Sequence, residues 1–404
     1  MRDDLADVLD GARVREQRRA ARALLRRPLL RAGGPGSEEL RLVRRHAGAL
    51  RTWFDANTGW RLSVDSEVAR LVKRAPASTD ATHPARDPKS SGPFGRRRYV
   101  LACLALAVLE RADAQITLGR LADGVILAAA DEDLARAGVS FRLEGREERA
   151  DLVSVVRLLL SLGVLERVAG DEDAFVRDAG DALYDVQRRS LALLLAAPRG
   201  PSTIAELDPA ERLAQLAAEP VAQTEELRNR AIRHRITRRL LDDPVLYFDE
   251  LDAAETAYLA GQRGAIIRRI SELTGLVAEV RAEGIAMVDP DDDLTDVRMP
   301  ETGTDGHVAL LLAGELAGRA GGDAVAVSEL QRLVRGWARE HRSYWRKAAR
   351  VAGAEVGLVA GALDRLEALH LVRRDATGVF ALPALARYAV AEPTLLCGAG
   401  GEAG

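Results

Sequence analysis

Two clusters of arginine are the side chains of this sequence best suited to bind a charged ligand. The first lies in residues 332–350, where seven positive side chains are accompanied by one acid, Glu340. The second lies in residues 228–239, which hold six arginines and no acid. A local patch of positive charge, more than the net charge of a chain, attracts nucleic-acid phosphates. Both clusters are therefore candidate phosphate-binding surfaces, and the alternative is that each is only a solvated face.

The spacing within the first cluster predicts one basic stripe on a helix. Five of its arginines follow one another at steps of 4, 3, 4 and 4 residues, which places them on one helical face. Such a stripe would contact phosphates without reading bases, so we expect binding to double-stranded DNA of any sequence. The predicted phosphate-binding residues are Arg335, Arg339, Arg342, Arg346, Lys347 and Arg350 in the first cluster, and Arg228, Arg235 and Arg239 in the second.

The best candidate for catalysis is an acidic cluster, 289–293. It follows the apolar segment 285–288, and paired carboxylates after a strand hold Mg²⁺ in many nucleases, so Asp291 and Asp293 are the candidate ligands. Such a site also needs a third carboxylate and usually a lysine. A calcium loop is excluded because Leu294 occupies the position where the sharp turn requires glycine. We therefore favour a solvated loop.

Other catalytic motifs are absent from the sequence. There is no Gly-Lys-Ser/Thr phosphate loop, no GxGxxG after a strand, no HExxH and no GxSxG. The six histidines are scattered, and Cys103 and Cys397 are the only cysteines. The sequence thus predicts a protein that is not an enzyme and has no metal or cofactor.

Composition indicates several folded modules. The chain has 404 residues, of which 47% are hydrophobic and 29% are charged, with a net charge of −3. Its longest uncharged apolar run, Tyr99–Leu109, is about half as long as a membrane-spanning helix, and the N-terminus has no signal-peptide pattern. We expect a cytoplasmic protein without membrane contact.

A winged-helix pattern, with three helices followed by a hairpin, is predicted after Tyr99. Helical segments flank a short strand at Ile116-Thr117, and a third helix covers about 146–162. Gly163 is a plausible left-handed cap before strands at 164–168 and 174–176. The same helix-to-hairpin ending recurs at 276–280 with 285–288, and at 369–373 with 379–382.

The predicted fold is therefore mainly α with short β-hairpin wings, built from repeated winged-helix units. The alternative is an unrelated α+β protein that contains hairpins. A Pro, Ser, Thr and Gly-rich stretch predicts a solvent-exposed linker before the first unit. The expected divisions are an N-terminal helical region 1–74, a linker 75–98, a first unit 99–180, a connector with a second unit 181–298, a third unit 299–390 and a flexible tail 391–404.

Several short patterns resemble a bacterial, largely actinobacterial, family encoded beside an SMC-like ATPase. The family is the tandem winged-helix (KITE) subunit of Wadjet-type plasmid-defence complexes, which are relatives of the MukBEF and MksBEF condensins. The resemblance covers roughly residues 40–390. The patterns are Trp53-Phe54-Asp55 with Thr58-Gly59-Trp60, Arg97-Arg98-Tyr99-Val-Leu with Leu118-Gly-Arg-Leu-Ala122, and Pro244-Val-Leu-Tyr-Phe-Asp249 with Leu259.

This resemblance implies a non-catalytic subunit that binds a kleisin-like protein and helps an SMC-like ATPase to hold DNA. It also implies a dimer, and the Leu, Ala and Val-rich segment Tyr99–Leu109 is a candidate surface for a homodimer. Two other hypotheses remain: a stand-alone transcription regulator, and the Mg²⁺-dependent nuclease described above. The regulator is less favoured because its third-unit recognition helix, 355–369, would carry three acids and one arginine.

Overall fold

The chain forms two compact units in a computed structural model, one up to Gln223 and one from Thr224 onwards. The predicted module 181–298 is thus divided between them. The structure describes residues 2–34, 36–74, 82–194, 203–204, 208–219, 223–319 and 323–389. The predicted tail, 391–404, and part of the predicted linker, 75–81, lie outside these residues. None of the described helices is both long and apolar enough to cross a membrane.

The first unit contains ten of the described helices and six strands, mostly short. Its elements are α1 Arg2–Arg26, β1 Leu29–Arg31, α2 Ser37–Arg45, α3 Ala47–Thr58, β2 Arg61–Val64, β3 Val68–Val72, α4 Arg96–Arg111, β4 Gln115–Thr117, α5 Leu118–Ala129, α6 Glu132–Arg136, α7 Arg146–Ser161, β5 Leu165–Gly170, α8 Glu172–Val176, β6 Ala182–Val186, α9 Arg188–Leu194 and α10 Pro209–Ala217.

The second unit is also mainly helical. Its elements are α11 Glu225–Asp242, β7 Leu246–Tyr247, α12 Ala253–Thr274, β8 Val277–Val280, β9 Gly284–Val288, α13 Gly303–Gly318, α14 Val327–Glu340, α15 Ala354–Ala368, β10 Val372–Asp375 and β11 Gly378–Ala381, with short 3-10 helices at Phe248–Glu250, Lys347–Arg350 and Pro383–Tyr388. The predicted class, mainly α with short β-hairpins, is confirmed at this level.

All the sheets are small and antiparallel, and the three-stranded ones share one strand order. In each of them the first strand in the chain pairs with the last, which pairs with the middle one: β1-β3-β2, β4-β6-β5 and β7-β9-β8. The hairpin β10-β11 gains a comparable neighbour through a bridge between Val325 and Val379. The last strand of each hairpin is therefore paired with a segment that precedes the helices leading into that hairpin.

A left-handed residue ends the helix before every one of these hairpins. The φ angles are +67° at Gly59, +66° at Gly163, +79° at Gly275 and +53° at His370. This conformation closes a helix and redirects the chain into a strand, and glycine adopts it without a steric penalty. At Gly59 and Gly275 the preceding threonine donates its hydroxyl to a carbonyl in the last helical turn (2.6 and 2.7 Å). The predicted cap at Gly163 is confirmed.

Three details predicted for residues 1–180 are corrected. Residues 174–176 lie in α8, and the strand that pairs with β5 is β6. Within the predicted linker, Phe94 is buried in a hydrophobic core with Leu101 and Asp87 is 2% exposed, so residues 82–95 are anchored to that core, although most of their side chains are exposed. The N-terminal region contains the sheet β1-β3-β2 as well as helices. The alternation of residues 60–64 predicts a short strand, which is β2, whereas β1, which is very short, and β3 were not predicted.

Candidate nucleic-acid interface

The first arginine cluster is not one helical stripe. Helix α14 ends at Glu340, and the chain continues through turns into the short 3-10 helix 347–350. The N–H of Arg346 donates to the Thr304 hydroxyl at the start of α13 (3.0 Å) instead of to a helical carbonyl. Tertiary hydrogen bonds thus replace helical ones, and the predicted array of five arginines on one face is wrong.

Three of the six cations predicted in this cluster are held by interactions within the unit. Arg335 pairs with Glu355, and backbone N–H groups together with Arg335 lower the pKa of that carboxyl. Arg346 forms a bidentate pair with Asp305, which raises the pKa of the guanidinium. Arg350 donates to the carbonyl of Trp345 (3.0 Å) and has no acidic partner among the described residues.

The other three cations are available to a ligand. Arg339, Arg342 and Lys347 are exposed and form no ion pair within the described part of the chain. We call residues 339–350 the basic segment. Its positive charge, which also includes Arg350, is opposed there by one unpaired acid, Glu340. This is the part of the predicted site that retains uncompensated charge.

In the second cluster, on α11, Arg239 is a structural residue. Its guanidinium lies 3.1 Å from the carboxylate of Asp243 and also contacts Glu250. The Arg239 and Asp243 side chains are 21% and 11% exposed. Burial raises the pKa of Asp243, against the opposing effect of Arg239. The charge of Arg239 therefore stabilises a buried carboxylate, and its phosphate-binding role stays a prediction.

Arg235 is also paired, whereas Arg228 is not. The Arg235 guanidinium lies 2.9 Å from Glu255 and 3.7 Å from Asp252, at the start of α12. Arg228 lies on the exposed first part of α11 and forms no ion pair with any described residue. Of the three residues predicted here, only Arg228 keeps a free charge, so this surface is a much weaker candidate than the basic segment.

A groove of about 480 Å³ lies beside the basic segment. It is lined by Gly303, Thr304, His307, His341, Tyr344 and Trp345. The indole N–H of Trp345 donates to His307 Nδ1 (3.1 Å), and the two histidine rings lie 4.9 Å apart between centroids. Burial and the neighbouring His341 lower the pKa of His307. The neutral imidazole, with its proton on Nε2, is therefore the favoured form of His307.

The fold brings these rings together from two distant segments. His307 belongs to the first turns of α13, and a Cβ on the preceding Gly306 would lie 2.0 Å from the carbonyl oxygen of Glu301. Glycine is thus required there for the chain to enter α13. Trp345 is 1% exposed and is one of the largest side chains in the core of the second unit. Sequence inspection found no histidine pair because the two residues are far apart in the chain.

In the acidic cluster at the candidate nuclease site, the Asp289 carboxylate accepts hydrogen bonds from the backbone of the loop that follows it. One Asp289 carboxylate oxygen accepts from the N–H groups of Asp293 (2.9 Å) and Leu294 (2.8 Å), and the other accepts from Asp291 (3.2 Å). Among the described residues there is no group of three or more His, Cys, Asp or Glu arranged to hold a metal ion. The geometry accounts for Asp289 as a turn-forming residue.

The short patterns that carry the family resemblance lie mostly at structural positions. Phe54 and Trp60 are buried on either side of the left-handed Gly59. Tyr247 is 3% exposed, donates to the carbonyl of His370 (2.7 Å), and has its pKa raised to about 12 by burial. Arg97 and Arg98 both pair with Asp151 of α7. These residues position helices and hairpins and do not form a ligand site.

Comparison with known proteins identifies the family. A profile of the family described as "Protein of unknown function (DUF2398)" matches residues 21–391. Neither a comparison with curated proteins nor one with solved structures gives a match. The matched region includes the N-terminal sheet, both arginine clusters and the aromatic groove. Because the match spans most of the sequence, the chain belongs to this family.

Proposed function

We propose that this protein is a non-catalytic, tandem winged-helix subunit of an SMC-like bacterial complex, in which it binds a kleisin-like subunit and contacts DNA. The complex would act in defence against plasmids. The partners and the defence role come from the family resemblance of the short motifs. The DNA contact is supported by the basic segment, and the architecture by the strand order of the sheets.

The observation that carries the proposal is the repeated element order. Helix, strand, two helices and a hairpin occur in α1–β3 and, with the additional short helices α6 and α8, in α4–β6; the three strands of each set pair in the order first, last, middle. The segment α13–β11 has the same order, with the Val325 bridge in place of the first strand. The same strand order occurs in β7-β9-β8, where β7 lies between α11 and α12 and the hairpin follows α12. These features are typical of winged-helix units.

The charge distribution favours backbone contact over base readout. In the predicted third winged-helix unit, 299–390, helix α15 precedes the hairpin. This is the place of the recognition helix in winged-helix regulators. Its acids Glu355 and Glu367 pair with arginines elsewhere in the unit, and its Arg365 pairs with Glu301. No cation of α15 is therefore free for a base. The three exposed cations of the basic segment that form no ion pair in the described structure would meet phosphates irrespective of sequence.

The DNA contact is tested by the salt dependence of duplex binding. In the variant Arg339→Gln, Arg342→Gln, Lys347→Gln, we expect weaker binding to every duplex and a log-log salt slope flatter by about two to three, since each lost phosphate contact removes about 0.9. The fold should be unaffected because all three side chains are exposed. Fluorescence anisotropy across a salt series measures both quantities.

A control variant with the same change in net charge separates a local surface from bulk electrostatics. Arg41→Gln, Arg120→Gln and Arg263→Gln remove three exposed, scattered arginines that form no ion pair in the described structure. We expect this variant to keep the wild-type slope within about one unit. Equal slopes for the two variants, or an unchanged slope in the first, would exclude the basic segment as the DNA-binding surface.

The partners are tested by co-purification. A tagged copy of this chain, expressed with the products of its neighbouring genes, should retain a kleisin-like protein and an SMC-like ATPase through size exclusion. Recovery of this chain alone would contradict the assignment. Tight, sequence-specific binding of the purified protein to an operator would instead support the stand-alone regulator, and Mg²⁺-dependent plasmid cleavage abolished by Asp291→Ala with Asp293→Ala would support the nuclease.

A homodimer is part of the proposal, with α4 as its interface. Along α4, Tyr99 is 43% exposed and Cys103 and Ala107 are also exposed, and on α5 Leu127 is 79% exposed. Exposed apolar side chains that are close together are typical of surfaces that bind a partner. Light scattering at micromolar concentration should give twice the chain mass, and Leu127→Glu should lower it towards the monomer. A monomeric mass for the wild type would contradict this proposal.

A further inference from the structure

We propose that the groove beside the basic segment binds an unpaired nucleobase, so that this face of the second unit holds a single strand of nucleic acid as well as the backbone of a duplex. This inference rests on the proposed nucleic-acid contact and adds a specific binding site to it. It concerns the groove residues His307, His341, Tyr344 and Trp345 together with the neighbouring free cations.

One of the aromatic rings that line the groove is exposed to solvent. Tyr344 is 84% exposed, although the following residue, Trp345, is 1% exposed. The buried indole anchors the backbone, and the tyrosine ring is left in solvent, where it has no packing role to explain it. Exposed aromatic rings next to cations are the platforms on which single-stranded nucleic acids stack their bases.

The other rings of the groove lie against one another, and a hydrogen bond joins two of them. Trp345 Nε1 donates to His307 Nδ1 (3.1 Å), and the His341 ring lies 5.9 Å from the Trp345 ring and 4.9 Å from the His307 ring. These rings are inclined to one another by 32° to 82° and Trp345 is buried, so Tyr344 is the ring exposed for stacking on a base. In its neutral form His307 also keeps an Nε2–H donor for a base oxygen or nitrogen.

The segment that contributes to the groove also carries exposed positive charge. Arg339, Arg342 and Lys347 are exposed without an acidic partner in the described structure, and Arg342 directly follows the groove residue His341. The nearest carboxylate at the start of α13, Asp305, is already neutralised by its pair with Arg346. A strand with one base in the groove would therefore have its adjacent phosphates next to free cations. An uncharged ligand, such as an aromatic side chain of another protein, would gain nothing from these cations.

The groove has a volume suited to a small ligand. A groove of about 480 Å³ falls in the range of small-molecule sites, roughly 300–1,000 Å³, and is large enough for one base with its sugar. Tyr344 is one of the residues that line it. A base pair inside a duplex would have its faces covered by its neighbours, so the groove would select an unstacked base.

The experiment compares an oligodeoxythymidine strand of about ten nucleotides with a duplex of the same length, on the full chain. Tyr344→Ala should weaken binding of the single strand by roughly 5-fold to 150-fold, as loss of one base-stacking platform does, and change duplex binding by less than about 2-fold. The matched variant Tyr344→Phe keeps the ring and should bind the single strand as the wild type does. Circular dichroism checks that both variants fold.

The outcomes separate this site from the proposed function. If Tyr344→Ala binds both nucleic acids as the wild type does, the base site is excluded, whereas the duplex contact is judged by the Arg339, Arg342 and Lys347 variant. If Tyr344→Ala weakens both to the same degree, Tyr344 belongs to the general surface and the base site is again excluded. Photocrosslinking of a strand that contains 5-bromodeoxyuridine should modify Tyr344 or His341, and crosslinks confined to other residues would also overturn the proposal.

Discussion

The two arginine clusters are alike in sequence but differ in what surrounds them. On α11, Arg235 and Arg239 lie close to four carboxylates, those of Asp252, Glu255, Asp243 and Glu250. In the basic segment, Arg339, Arg342 and Lys347 extend into solvent without an ion pair in the described structure. The second cluster, on α11, connects that helix to the start of α12, whereas the first cluster, in residues 332–350, leaves charge available for a ligand.

The difference shows that the number of positive residues in a segment does not measure its affinity for phosphate. The acids that neutralise α11 lie just beyond it, in residues 243–255, and become close partners only when the chain turns back along the helix. The corresponding partners of the first cluster, Asp305 and Glu355, reach only Arg346 and Arg335. Removing an arginine should therefore affect stability in one cluster and ligand binding in the other.

The largest effect is expected for Arg239→Gln. The substitution leaves the 11% exposed carboxylate of Asp243 without its guanidinium, and an uncompensated charge at a largely buried site costs several kcal/mol. Because Arg239 is partly exposed, we expect the free energy of unfolding to fall by about 2–3 kcal/mol. Urea denaturation followed by circular dichroism measures it. Under conditions in which the variant is fully folded, its affinity for DNA should equal that of the wild type.

The pH dependence of this loss checks its cause. Since burial raises the pKa of Asp243 above its ordinary value of 3.8, its ionisation is a cost to the folded state that grows as pH rises through the raised pKa. Without Arg239 the cost is greater. The difference in stability between wild type and variant should thus be largest near neutral pH and shrink below about pH 4, where the carboxyl is protonated in both. A pH-independent difference would point to lost packing of the arginine chain.

Arg228→Gln is the matched control for this prediction. Arg228 lies on the same helix, is exposed and has no ion pair with a described residue. A substitution at such a position usually changes stability by less than about 0.5 kcal/mol. A loss comparable to that of Arg239→Gln would show that the two arginines do not differ as the ion pairs indicate.

A smaller effect is expected when acids are neutralised instead of arginines. Asp305→Asn should release Arg346, whose side chain is 54% exposed, and steepen the log-log salt slope of duplex binding by about 0.9. Glu250→Gln removes an equal charge beside Arg239 but should leave the slope within experimental error, because Arg239 remains paired with Asp243. Equal responses would remove the distinction between the two clusters.

Much of the local structure follows from patterns in the sequence. Hairpins β8-β9 and β10-β11, strand β4 and helix α7 were predicted from apolar spacing and turn residues, and they are confirmed. The second strand of the first hairpin was misplaced because α8 interrupts it, with Asp171 as the cap of the short helix. Of the sheet β1-β3-β2, only strand β2 and the turn at Thr58-Gly59 that precedes it were predicted; Thr274-Gly275 forms the same turn.

The candidate site was less predictable than the fold. Sequence spacing identified the residues of the basic segment correctly as exposed cations, but it extended α14 through Arg350. Helical periodicity describes hydrogen bonds within one segment. It contains no information about Thr304, whose hydroxyl accepts the N–H of Arg346 beyond the end of α14.

The sequence by itself determined the elements whose causes are local: amphipathic helices, the left-handed residues that end them, and the hairpins that follow. These depend on side-chain spacing and backbone conformation over a few residues. Only the tertiary structure decided which arginines are neutralised and which rings share a groove. Ion pairing and stacking act over a few ångströms in space, and the partners that matter here, Glu355 for Arg335 and His307 for Trp345, are brought within that range only when the helices of the second unit pack.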